Sequence, residues 1–283
     1  MSLVITGATG QLGRLVVESL IARGTAPSDI VATGRRLDKL AALESLGVRT
    51  AELDYTKPET VAAAVSAGDT LLLVSGSEVG QRAAQHATVI AAAKEAGVAR
   101  IVYTSAPKAT TSPLVLAPEH KATEETLVAS GVPFTILRNG WYTENYAGEI
   151  EKARASGSIV ASVGDGRVAS ASRKDYADAA AVVLVGDGHV GAVYELSGDV
   201  AWNFDDLAAA IAGIVGRDVE YSRLTPDEHA ALLASFGLDA GTVGFVVALD
   251  GNIRDGLLAE SNGELARLIG RATTPLAEGL SAA

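Results

Sequence analysis

Val4-Ile5-Thr6-Gly7-Ala8-Thr9-Gly10-Gln11-Leu12-Gly13 decides the fold: a β-branched run passes through spaced glycines straight into a helical pattern. Glycine turns the chain with no Cβ in the way, and the first amides of the next helix have no intrahelical acceptor. That combination suits a diphosphate. Gly7 would make the turn, Gly10 admit the phosphates and Gly13 bring helix and strand close. A triplet alone says little in a chain with 30 glycines, so the weight rests on the strand before it and the helix after it.

Working outward, Leu12, Leu15, Val16, Ser19 and Leu20 fall on one helix face, and Gly24 stands where that helix should end. Further strands are predicted at Ile30–Thr33, Val48–Leu53, Thr70–Val74, Arg100–Thr104, Phe134–Leu137 and Val193–Leu196. Helical windows at 38–46, 58–66, 81–96, 119–130 and 175–185 separate them. The strands read as continuous apolar runs, which implies a sheet covered on both faces. The expected class is α/β, a Rossmann-like doubly wound parallel sheet with a smaller, mostly helical C-terminal substrate lobe. Residues 1–140, with 166–198 returning to them, are assigned to the dinucleotide-binding domain. The lobe takes 141–165 and 199–283, with one strand-like run at Val219–Ser222 and a helix start at Thr225-Pro226-Asp227-Glu228.

The chain has 283 residues, 48% of them apolar and 20% charged, enough for a large globular core. It has no cysteine, which removes disulfides, thiolate nucleophiles and iron–sulfur clusters. A net charge of −11 argues against nucleic acid and anionic lipid as partners. The opening residues read as a strand rather than a signal peptide, and the apolar stretch Ala179–Val185 is far short of the ~18–20 residues of a membrane span. A cytoplasmic protein is expected.

Past the second strand stand Arg35 and Arg36, where an acid would meet a ribose 2′-hydroxyl. Guanidinium pairs bidentately with phosphate, so NADP(H) is expected over NAD(H), although Arg36 also suits a solvated helix start. Asp54 suits two roles equally, adenine acceptor or helix N-cap before Pro58. Ser75 and Gly76 put small groups beyond the fourth strand, where ligands bind in open α/β sheets. Tyr103 and Thr104 end the fifth strand; Tyr103 reads either as a phenol over the crevice or as a sheet aromatic. The histidines lack metal-ligand spacing, and no serine sits in a nucleophile elbow, so neither a metal nor hydrolase chemistry is expected.

Several segments together carry a family resemblance: GATGQLG at 7–13, SGSEVGQR at 75–82, Tyr103-Thr104-Ser105, LRNGWYTENY at 137–146, and Gly164-Asp165-Gly166 through SRKDYA at 172–177. With Leu268-Ile269-Gly270 and Thr273-Thr274-Pro275-Leu276, the similarity extends over nearly the whole chain. The sequence resembles the atypical short-chain dehydrogenase/reductases of the NmrA-like group, and most of all the type 2 NAD(P)H:quinone oxidoreductases. Triphenylmethane reductases are relatives. The resemblance implies NADPH held by Gly7, Thr9, Gly10, Gln11, Leu12 and Gly13, with Arg35 on the 2′-phosphate. It implies Ser75, Thr104 and Asn139 along the ribose and nicotinamide, Trp141, Tyr142 and Asn145 around the substrate, and no flavin.

The Tyr-x-x-x-Lys acid pair of ordinary members is missing, and Glu119-His120-Lys121 stands near its place. Alcohol dehydrogenase chemistry is therefore not expected, whereas a quinone yields a delocalised phenolate that needs less acid help. His120 is the candidate proton donor, with packing as its competing role. The expected activity is two-electron reduction of a quinone or similar π-acceptor, with Tyr103 and His120 as catalytic candidates. The rival readings are a redox sensor that binds NADP(H) without turnover and a reductase of triphenylmethane dyes.

Overall fold

The computed structural model describes all 283 residues. In chain order its elements begin β1 (Leu3–Ile5), α1 (Gln11–Ala22), β2 (Ile30–Gly34), α2 (Ala41–Glu44), β3 (Arg49–Glu52), α3 (Pro58–Ala64), β4 (Thr70–Leu73) and α4 (Arg82–Glu95). They continue with β5 (Arg100–Ser105), α5 (Ala117–Ser130), β6 (Phe134–Asn139), α6 (Ala147–Ser156), β7 (Ser158–Ala161), β8 (Arg167–Val168), α7 (Arg173–Val185) and β9 (Val193–Leu196). The last are β10 (Trp202–Asn203), α8 (Phe204–Val215), β11 (Glu220–Arg223), α9 (Pro226–Ser235), α10 (Ala240–Arg254), α11 (Glu264–Ile269) and α12 (Leu276–Ser281).

Two compact units form. The first is Met1–Thr110, Pro118–Asn139 and Arg173–Glu195; the second is Thr111–Ala117, Gly140–Ser172 and Leu196–Ala283. The returning segment is thus shorter than 166–198. Residues 166–172 stay in the second unit because β8 pairs antiparallel with β10, Val168 against Trp202, and the Gly198 amide donates to Ala169 O at 2.9 Å.

The first unit holds a seven-stranded sheet in the order β3-β2-β1-β4-β5-β6-β9, a Rossmann-like arrangement. β1 pairs parallel with both β2 and β4, Val4 lying between Val31 and Leu71. The strand order reverses there, and the loops leaving β1 and β4 flank the switch point. Val4, Ile5, Leu71, Leu72, Leu73, Ile101 and Val102 are fully buried, as a two-face-covered sheet requires. Continuous burial does not extend to the edges. β3 is exposed or half-buried throughout and β9 is buried only at Leu196, because an edge strand has a neighbour on one side only.

Helix α1 buries Leu12, Val16, Val17, Ser19 and Leu20 and packs on α7, where Ser19 Oγ donates to Asp178 Oδ1 at 2.6 Å. Gly24 adopts φ +90° just past its end. The window 38–46 is broken into a 3₁₀ turn, Leu37–Leu40, and the single turn α2.

In the second unit, three strands escape the sequence reading: β7, β8 and β10. Each is at most four residues long and is defined by its partner rather than by its own pattern; β7 pairs parallel with β11 from Ser158↔Glu220 to Ala161↔Arg223. Thr225 and Glu228 complete the capping box expected for α9. Asp250 of α10 gathers the Ser162 amide (2.7 Å), the Ser162 hydroxyl (2.9 Å) and His229 Nδ1 (3.0 Å) onto one oxygen, tying β7, α9 and α10 together. Tyr146, Trp202, Phe204 and Tyr221 form an aromatic cluster beside them. No helix is long and apolar enough to cross a membrane.

Candidate active site

The glycine loop is shaped by contacts that tolerate no side chain. A Cβ on Gly13 would stand 2.5 Å from Gly7 O and 2.9 Å from Ala8 N, both backbone atoms that cannot swing aside. Gly7 has φ +61°, and the Gly10 amide closes the turn onto Gly7 O at 2.9 Å. The first turn of α1 carries no acidic residue, and Gly10 supplies no side-chain cap. The orphan amides of that turn are therefore left for an anionic ligand, and the residues present fit a diphosphate. Gly13→Ala should cost about 2–3 kcal/mol in urea unfolding. It should also weaken NADPH at least ~10-fold in titration calorimetry, since charged hydrogen bonds lengthen when the loop shifts.

Neighbouring strands hold this loop in place. A Cβ on Gly34, the last residue of β2, would meet Thr9 Cγ2 at 2.5 Å, so β2 presses directly on the loop. The hydroxyl of half-buried Tyr55 donates to Val74 O at 2.6 Å and lies 2.5 Å from Thr6 Oγ1, which itself accepts from the Val74 amide at 2.9 Å. These bonds fix the spacing between the ends of β1 and β4. Next to them Thr104 Oγ1 accepts from the Ser75 amide at 2.9 Å, so Ser75 and Thr104 meet across the ends of β4 and β5.

Both arginines proposed for the 2′-phosphate have carboxylate partners. Arg36 grips Asp38 through two nitrogens, at 3.1 and 2.5 Å, whereas exposed Arg35 reaches Glu78 of the loop after β4 at 2.8 Å. Asp54 is not the N-cap of α3, a position taken by Lys57. Its Oδ1 instead accepts from the Thr56 amide (2.9 Å) and hydroxyl (2.8 Å), because the chain turns before Pro58; the amide bond holds its carboxyl below the usual range.

Tyr103 lies in the core rather than over a crevice. Its side chain is fully buried among Ile101, Val89 and Ile90, and its hydroxyl meets His120 Nδ1 at 2.8 Å. Burial raises the phenol well above its normal range, so it stays protonated. His86, weighed from the sequence only as a metal ligand, packs its ring edge-on to Tyr103 with centroids 5.5 Å apart. The Gly76 amide can only donate, so His86 Nε2 accepts it (3.0 Å) and Nδ1–H faces Thr123 Oγ1 (2.9 Å), which donates to Glu119 O (2.8 Å). Arg82 lies beside them, donating from Nε to Gly76 O at 2.6 Å.

Burial, reinforced by the Arg82 charge, pushes His86 down to about 4 and His120 down to about 3. His120 is therefore no imidazolium at neutral pH, contrary to the reading that it titrates there. The unfolded chain titrates its imidazoles near 6.5, so it takes up protons before the folded protein does. The stability these neutral rings contribute is complete above that pH and drains away as acid is added. Each ring should remove roughly 1.4 kcal/mol per pH unit between 6.5 and about 4. Urea midpoints measured down that range should fall, and His120→Gln should flatten part of the slope.

At the ends of β5 and β6 a buried ionic network was also missed. Arg138 binds Glu124 through Nε (2.9 Å) and Nη2 (2.6 Å) and Glu195 through Nη1 (2.8 Å), while the Ser105 hydroxyl donates to Glu124 at 2.5 Å. Asn139, the next residue, is buried. In the second unit Trp141 and Tyr142 are half-buried on a bridge to Ala171, and Asn145 is exposed in the 3₁₀ turn that follows.

A family described as NAD(P)H-binding matches residues 7–185. Quinone oxidoreductase 2 of Escherichia coli is 46% identical over 99% of this chain and 97% of its own. Its crystal structure with NADPH superposes with a TM-score of 0.94 over 99% of both chains. The triphenylmethane reductase of a Citrobacter species, complexed with NADP(H), is 34% identical with a TM-score of 0.93 over 99% of both chains. With the glycine loop, the strand order and these likenesses in agreement, the chain belongs to the NAD(P)H-binding family.

Proposed function

We infer that the protein is an NADPH-dependent quinone reductase that transfers two electrons in one step without a flavin. The observation that carries this reading is the full-length likeness to quinone oxidoreductase 2, in a chain whose glycine loop and Arg35 fit a 2′-phosphorylated dinucleotide. Bound NADPH supplies a hydride, which with one proton converts a quinone to its hydroquinone.

The chain's own part is mainly positioning. The Tyr55 brace and the Ser75–Thr104 bond hold the loops at the switch point still, and holding reactants still is worth ~7–11 kcal/mol in favourable cases. His120 acts as a neutral hydrogen-bonding group rather than an acid, with Tyr103 holding its ring in place. The proton consumed comes from solvent. Asn139 and Thr104 would hold the nicotinamide ribose, and Trp141, Tyr142 and Asn145 are the side chains proposed to receive the acceptor.

Steady-state NADPH oxidation with small benzoquinones should give stoichiometric hydroquinone from protein lacking flavin absorbance. Turnover no faster than a heat-killed control overturns the reading. If that protein still bound NADPH and NADP⁺ with different affinities, the redox-sensor reading would replace it.

A further inference from the structure

We propose that Glu78 is an internal competitor for the cofactor's 2′-phosphate and thereby sets how strongly the protein prefers NADP(H) to NAD(H). This rests on the reading of Arg35 as the 2′-phosphate ligand. Glu78 Oε1 lies 2.8 Å from Arg35 Nη1, so a carboxylate already sits on the guanidinium that the phosphate requires. The two residues are 43 apart in sequence, one following β2 and the other in the loop after β4, so the contact is made by the fold.

The second oxygen of Glu78 accepts from Gln85 Nε2 at 2.8 Å. Gln85 is itself buried near Gly76, where a Cβ would come within 3.2 Å of its Oε1. The carboxylate is therefore tethered from behind. When a phosphate takes the guanidinium, Glu78 loses Arg35 but stays close enough to repel the incoming dianion. An NAD(H) ribose presents a hydroxyl instead, and it can bind with the Arg35–Glu78 pair closed.

The pair is cheap to open. Both side chains are well exposed, 65% and 44%, and exposed ion pairs contribute little net stability. Glu78 therefore tempers the preference for NADP(H) without abolishing it. Arg36 is paired as well, with Asp38 through two nitrogens, against the single bond that Glu78 makes to Arg35.

The test measures dissociation constants for NADP⁺ and NAD⁺ by calorimetry on the full chain, together with adenosine 2′,5′-bisphosphate and ADP as fragments without nicotinamide. Glu78→Gln should raise the NADP⁺-over-NAD⁺ affinity ratio roughly fivefold, with the same trend in the fragment pair. Glu78→Asp, which keeps the charge, should stay within about twofold of the parent ratio. If Arg35→Ala erases the preference but Glu78→Gln leaves the ratio unchanged, the competitor role is overturned while the phosphate site stands. If Arg35→Ala weakens both cofactors equally, the phosphate site itself is misplaced and the proposal falls with it.

Discussion

Replacing Arg35 by alanine should raise the KM for NADPH by roughly ten- to fiftyfold and leave that for NADH within about twofold, because a charge-assisted bond to phosphate is lost. The selectivity follows from position: Arg35 leaves β2 beside the glycine loop, with Gly34 packed on Thr9. Arg36 is forked onto Asp38 by two hydrogen bonds, one more than Glu78 makes to Arg35, so Arg36→Ala should have the smaller effect. Arg35→Lys should recover part of the loss, since an ammonium restores the charge without the bidentate fork. Steady-state kinetics with each cofactor checks this, and equal losses for both would move the 2′-phosphate elsewhere.

Arg138→Met should destabilise the protein by about 3–5 kcal/mol, because it strands the buried carboxylate of Glu124 without its partner. Hydrogen bonding to Glu124 also raises the Arg138 guanidinium above its normal range. The melting temperature should drop by roughly 10 °C. The double variant Arg138→Met with Glu124→Leu should recover at least half of the loss, since removing both charges removes the desolvation penalty as well. Urea unfolding of the three proteins settles it: a single-variant loss below about 1 kcal/mol would mean that water already reaches this network.

The first unit was legible wherever a local pattern carried the signal. The loop 7–13 sits between a β-branched run and an amphipathic helix, and Ser75 and Thr104 stand at strand ends, so position in the chain implied position in the fold. Asp54 was ambiguous because an Asx turn onto Thr56 and a helix N-cap look alike before Pro58, and Tyr103 because its surroundings are nonlocal. Only the packing of α4 and α5 shows that the Tyr103 hydroxyl meets His120 rather than solvent. Glu78, His86, Glu124 and Arg138 were passed over for the same reason: each is defined by a partner between 10 and 43 residues away. The brief strands of the second unit are illegible alone, since two to four residues acquire strand character only from the chain they pair with.

The polarity of the His86 chain has a consequence for proton traffic. At one terminus is a peptide nitrogen that gives up its hydrogen only with great difficulty, and at the other a peptide oxygen that holds no proton at neutral pH. Between them the imidazole and the threonine hydroxyl are oriented in one direction, so a charge entering the row has nowhere to exit. Such a row insulates rather than conducts.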